Sequence, residues 1–232
     1  MWPDDHKWCF EKARIVLRND NREKIDLIDQ FANEINHGLE IADTGAGEIA
    51  TPISNIPVAP VMHYLDPMRN VGIGGWIGIG SGLITNAALF CESCSAIALQ
   101  LWQRSDKALS MKVFGVALHL VQDLTVPHHA RCQVLFNHRE YEEMLHQNIA
   151  RIPNIPASNG IYDRNRYPMQ WAYSNACEAY GYFGYCDGMN RIFWNPFTWF
   201  TKNEDIERVR NALVPLAIRT SAGFIDYYLS KI

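Results

Sequence analysis

The stretch Ser105-Asp-Lys-Ala-Leu-Ser-Met-Lys-Val-Phe-Gly-Val-Ala-Leu-His119-Leu-Val-Gln-Asp123-Leu-Thr-Val-Pro127 decides how this chain is read. Between Ala108 and Val126 apolar residues recur three and four positions apart, the period of an α-helix and not the alternation of a strand. Ser105-Asp106 supplies a capping start, and Pro127 supplies a stop because proline disfavours helical geometry at the residue before it. His119 and Asp123 fall on the last turns, four apart and so on one face, with Cβ atoms roughly 5–6 Å apart. They sit among Val116, Leu118, Leu120, Val121 and Leu124, where a polar pair needs partners.

Working outward, the same spacing recurs in Trp8–Leu17, Ile25–Ile41, Leu83–Trp102, Tyr141–Ile149, Met169–Tyr185 and Ile206–Leu229, so seven helices are expected. No run of alternating strand character stands out. Thr44–Pro60 and Ile152–Arg166 are rich in Gly, Pro and Asn and read as loops. The fold class is therefore all-α, a multi-helix bundle. With no repeat, low-complexity tail or linker, residues 1–232 read as a single domain.

Composition narrows the function classes. Hydrophobic residues at 48% and charged residues at 20% describe an ordinary globular chain and exclude disordered, collagen-like or disulfide-knot classes. Lys and Arg number 21 against 25 Asp and Glu, a net charge of −4, which offers no broad footprint for a nucleic-acid backbone. Six cysteines (Cys9, Cys91, Cys94, Cys132, Cys177, Cys186) are compatible with three disulfides or with buried thiols. Cys91 and Cys94 form a C-x-x-C in a helical context without a second pair, which argues against structural zinc there. Val71–Cys91 carries no charge and is long enough to suggest a membrane span. Its glycines at 72, 74, 75, 78, 80 and 82 argue against one, since each costs a helix about 1 kcal/mol relative to alanine. A glycine-rich loop entering a buried helix is expected, the alternative being an apolar loop that touches lipid with Trp76 and Ile77 at its tip. No transmembrane helix is expected, and the chain opens without the basic and apolar pattern of an export signal, which is either absent or removed.

A second pair, His138 and Glu142, repeats the four-residue spacing, and both pairs fall within 24 residues. One such pair arises easily by chance; two close together favour chelation. Imidazole nitrogen with carboxylate oxygen suits zinc among the common metals. Further acid and imidazole groups lie upstream at His6, Asp43 and His63, the last in His63-Tyr-Leu-Asp-Pro67. On these residues the chain resembles the zinc-dependent bacterial phospholipases C, the group containing the Bacillus phosphatidylcholine-preferring enzyme and the catalytic domain of clostridial α-toxin. The resemblance rests on His-x3-Asp-x5-His (His119, Asp123, His129) followed by His-x3-Glu (His138, Glu142). It runs through the chain in order, with no counterpart of the toxin's lipid-binding C-terminal β-domain.

The resemblance implies three Zn2+ ions in a cleft between helices. Asp43, His63 and His119 would hold one, Asp123 would bridge to a second completed by His6 and the amine and carbonyl of Trp2, and His129, His138 and Glu142 would hold the third. His128 is then left beside the ligands or exposed. The implied activity is a phospholipase C: water held between the zincs attacks phosphorus, Asp43 is the candidate base as well as a ligand, and diacylglycerol and a phosphorylated head group leave. The implied partner is a phospholipid at a membrane or micelle surface, with no stable nucleic-acid partner, and the implied location is secreted or extracytoplasmic.

Two features depart from the family: Met1 precedes the tryptophan whose free amine should chelate, and Thr44 and Pro60 stand where the choline pocket has aromatics. Choline preference is therefore not implied. Tyr64, Trp76 and Phe136 are the aromatics expected at a substrate. The nearest rival is a single-strand nuclease of the same superfamily, which shares the early tryptophan and histidine but usually ends its last pair in aspartate after a longer gap. A second rival is a non-catalytic zinc-stabilised membrane- or partner-binding module, against which the lack of cysteine ligands speaks. The aromatics from Trp171 to Phe200 read as core and cleft wall. Asp4, Asp5 and Glu48 read as cleft mouth, or for the first two as a solvated helix cap.

Overall fold

The computed structural model describes residues 1–44, 47–58, 60–73, 86–133, 138–186 and 203–232. Along the chain run α1 (Pro3–Asn19), α2 (Ile25–Gln30), α3 (Ala32–Thr44), β1 (Gly47–Ala50), β2 (Asn55–Val58), α4 (Ala87–Gln103), α5 (Lys107–Asp123), α6 (His138–Asn148), α7 (Pro168–Tyr180), α8 (Phe183–Cys186) and α9 (Asn203–Leu229). Short 3-10 turns occupy Pro60–His63, His129–Arg131 and Ile149–Arg151. The class is all-α, as expected.

Every residue of α5 from Val113 to Asp123 is buried. A helix buried on all sides belongs at the centre of a bundle, and α3, α4, α7 and α9 pack around it. Asp106 caps it as expected, its carboxylate accepting from Leu109 N. The face toward α9 is aromatic, Phe114 stacking on Phe224 and Tyr228 at 5.4 and 4.2 Å. The face toward α3 is the opposite: Gly115 lies against Gly38. A Cβ on Gly38 would come 2.0 Å from the Lys112 carbonyl oxygen, and one on Gly115 would come 2.4 Å from that of Ile35. The two backbones therefore touch where a side chain on either would hold them apart. Asp43 and His119 lie about one turn beyond these glycines, so the close approach brings those two side chains together.

Three expectations change. The helix expected over Ile25–Ile41 breaks at Phe31, which leaves helical dihedrals and sets its ring edge-on to Trp102. The helix expected over Met169–Tyr185 ends at Tyr180, with Gly181 as its cap. The loop expected over Thr44–Pro60 contains the hairpin β1–β2, antiparallel with Ile49 opposite Ile56, both buried. Strands of four residues, one carrying Pro57, are too short for an alternation to register.

The thiols of Cys9, Cys91, Cys94 and Cys132 are free and buried, and Cys177 is exposed. Cys91 Sγ lies 3.5 Å from the Ala117 carbonyl, so the C-x-x-C is part of the core. No described helix is long and apolar enough to cross a membrane. The segment carrying Trp76, Ile77 and the glycines from 74 to 82 lies outside the described residues, as do Phe136 and the aromatics beyond Cys186 up to Phe200.

Gly115→Ala is expected to lower stability by about 1–3 kcal/mol through overpacking, read as a lower denaturant midpoint. An unchanged midpoint would mean that α3 and α5 separate freely.

Candidate metal centre

Six segments deliver the predicted residues to one place. The first turns of α1 bring His6, the last turn of α3 brings Asp43, and the turn Pro60–His63 brings His63. The end of α5 brings His119 and Asp123, the following turn brings His129, and the first turns of α6 bring His138 and Glu142. Leu65 N donates to His129 O at 3.1 Å, which pins the segment after His63 to the turn bearing His129.

Three sets of ligand atoms, each within 4.8 Å of one another, result: His6, Asp43 and His119; His63, Asp123 and His129; His129, His138 and Glu142. The third set is the grouping that the resemblance implies. In the other two, His6 falls with Asp43 and His119, its ring 3.9 Å from that of His119 between centroids, while His63 falls with Asp123 and His129 and keeps its Nδ1 3.3 Å from His119 Nε2, so both histidines border the pair expected for His63. The sets interlock. Asp123 is 3.1 Å from His63 Nδ1, 2.5 Å from His129 Nδ1, 3.7 Å from His6 Nε2 and 3.8 Å from His119 Nε2. His129 turns its other nitrogen to His138 Nε2 at 2.9 Å and to Glu142 at 3.4 Å.

Imidazole and carboxylate donors of this kind are the ordinary ligands of zinc. Buried atoms without a hydrogen-bond partner in the centre include His6 Nε2 and Asp43 Oδ2. An unsatisfied buried polar atom is costly, and a cation within the set of His6, Asp43 and His119 would satisfy both. The donor set therefore fits divalent metal.

Electrostatics divides the cluster. Burial opposes the charge on Asp123, yet His129 and the Met1 amine hold its carboxyl well below the usual range. Burial opposes Glu142 too, and the Met1 amine with His129 and His138 outweighs it in the same direction. Burial would lower His129, but Asp123 and Glu142 raise it to about 9. Burial and His6 push His119 well below the imidazole range, and burial lowers His138. Asp43 is raised, by burial first. One cluster thus holds a protonated imidazole beside neutral ones.

No protein-family model matches this chain, and no curated protein sequence does. Among solved structures, the alpha toxin of Clostridium absonum superposes with a TM-score of 0.77 at 15% identity, over 97% of this chain and 63% of the toxin. The alpha-toxin of Clostridium perfringens from an avian strain superposes with a TM-score of 0.71, also at 15% identity, over 97% of this chain and 62% of the toxin. The likeness is one of fold. The chain spans less than two thirds of the length of either toxin.

Trp2 is not brought into the centre. Its amide donates to Asp5 Oδ2 at 3.2 Å, its carbonyl accepts from Asp5 and His6, and its ring is half exposed. The nitrogen at position 1 is there instead, buried, 3.1 Å from Asp123 and 2.7 Å from Glu142. Burial would lower this amine, but Glu142 and Asp123 push it up to about 12. Tyr64, expected at a substrate, is 4% exposed and lies flat on His129 at 4.8 Å, fixing that imidazole's plane. His128 is buried, not exposed, stacked on His138 with both nitrogens unpartnered. Burial, aided by His138 and His129, drives it down to about 3. Asp5 is buried, Asp4 is exposed, and Trp76 and Phe136 lie outside the described residues.

Gln122 went unnoticed in the sequence. Its amide donates to Ser221 while its Oε1 accepts from His6 Nδ1 at 2.8 Å, so His6 is left to present Nε2 to the centre. Its place beside Asp123 in a buried helix was the one available signal.

In metal-free protein the raised His129 stabilises the fold fully below 6.5, and that contribution is lost as pH rises through about 9. A cation must displace this proton, so at pH 7.5 zinc uptake is expected to release protons and to weaken about tenfold per pH unit of acidification for each proton displaced. Calorimetry in two buffers of different ionisation enthalpy checks this; a heat independent of buffer contradicts it.

Proposed function

We propose that residues 1–232 form one catalytic domain, a zinc-dependent phosphodiester hydrolase that acts as a phospholipase C on glycerophospholipids. The observation supporting this reading is the convergence of five imidazoles and three carboxylates, with the nitrogen at position 1, in three interlocking sets. His6, Asp43, His63, His119, Asp123, His129, His138 and Glu142 are the ligands in this reading. Zinc bound there would neutralise phosphate oxygens, lower the pKa of water toward neutrality and stabilise the departing alkoxide.

The chain's own groups divide the remaining work. Asp43 has one oxygen unpartnered and a carboxyl raised by burial, so it can accept a proton. Asp123 is held ionised by its neighbours and serves as the fixed anion on which the imidazoles are arranged. Gln122 sets the tautomer of His6, and Tyr64 sets the plane of His129. The fold likeness to the clostridial alpha toxins supports the reading at the level of architecture. A phospholipid at a membrane or micelle surface is the substrate, and the chain works outside the cytoplasm.

Chelation is expected to abolish hydrolysis of phosphatidylcholine micelles and added zinc to restore it; full turnover after complete removal of metal would sink the mechanism. The same preparation is offered single-stranded DNA, and cleavage of DNA without cleavage of lipid would replace the lipase with the nuclease. Asp123→Asn is expected to lose more than one equivalent of zinc by elemental analysis, and full retention would contradict its shared role.

A further inference from the structure

Outside the ligand sets, the first turn of α1 and the third turn of α6 are joined by a closed group of three residues, Trp2 contributing its backbone amide and its ring. Asp5 is 1% exposed, and its Oδ1 lies 2.8 Å from His146 Nδ1. Its Oδ2 accepts the Trp2 amide. The Trp2 indole completes the circuit by stacking on the His146 imidazole, centroids 5.5 Å apart and planes 28° apart. Each member therefore touches the other two, although residues 5 and 146 are 141 positions apart.

The placement gives this group a task. His146 is one turn beyond Glu142 on the same face of α6, and Asp5 immediately precedes His6. Helix α6 buries little apolar surface of its own, Tyr141 and Leu145 being its buried residues. Its remaining hold is polar, through His138 and Glu142 in the ligand sets and through His146 here. A helix with so few buried apolar contacts opens at low cost unless something else ties it down.

We propose that Asp5, His146 and Trp2 form a clasp that docks α6 on the first turn of α1 and presets the spacing between His6 and the pair His138 and Glu142 before any cation arrives. His146 is a positioning residue in this arrangement, and Trp2 belongs to the clasp and not to the ligands. The docking part of the proposal is independent of metal, whereas its effect on cation affinity rests on the metal-centre reading above.

Hydrogen exchange on metal-free full-length protein reads the docking, and zinc titration reads the affinity. His146→Ala is expected to speed exchange across residues 138–148 about tenfold, with α4 and α5 unchanged, and to weaken zinc binding about tenfold, as loss of a group that orients metal ligands does. His146→Gln, which keeps a donor for Asp5, is expected to restore most of both. Trp2→Ala, which leaves the Asp5 contact, is expected to fall between. Unchanged exchange over 138–148 in His146→Ala would overturn the clasp, and so would an equal increase in α5, which would assign His146 to global stability. If wild-type protein takes up no zinc, the metal-centre reading fails and the exchange rates alone decide the clasp.

Discussion

Asp123 is a carboxylate with no access to solvent, held at the end of a helix that is itself buried. An isolated buried charge costs several kcal/mol even after relaxation, so the fold is obliged to surround it. His63, His129, His6, His119 and the nitrogen at position 1 do so, and they arrive from the N-terminal segment, the turn at His63, the turn just after α5 and one earlier turn of α5 itself. The ends of α1 and α5 and the turns at His63 and His129 must meet at this point. Removing one partner from such a cluster typically costs about 3–5 kcal/mol because the remaining charge stays buried.

The scaffold reaches that arrangement with ordinary packing devices. α5 can sit at the centre because its apolar residues cover nearly its whole circumference. Gly38 and Gly115 let α3 approach until backbone meets backbone, which sets Asp43 Oδ1 4.0 Å from His119 Nε2. Gln122 and Tyr64 then hold individual rings. The crowding has an electrostatic consequence: imidazoles that cannot all be charged together separate into a protonated His129 and a suppressed His119. Groups driven apart in this way are typical of sites arranged for chemistry.

The helices were legible where they were long and amphipathic, and a start was legible where a cap marked it, as at Asp106, whereas α5 ends at Asp123, short of Pro127, and α9 runs through Pro215. The break at Phe31 and the short hairpin were not, since a helical period continues through the first and four-residue strands hardly register as alternation. His119 with Asp123 and His138 with Glu142 could be paired from spacing alone. The upstream residues His6, Asp43 and His63 carry no such local signal and were reached through resemblance. The clasp of Asp5, His146 and Trp2 had no signal at all.

Residue type and local period, which depend on neighbours a few positions away, were enough to establish an all-α chain that pairs imidazoles with carboxylates at helical spacing. Tertiary structure decided what depends on distance between remote segments. It set the nitrogen of position 1 beside Asp123 and Glu142, turned Tyr64 inward onto His129, buried Asp5 beneath His146 and laid His6 against His119. These outcomes follow from how helices approach one another in space, a quantity set by packing volume and by the need to compensate buried charge, and no periodicity along the chain encodes it.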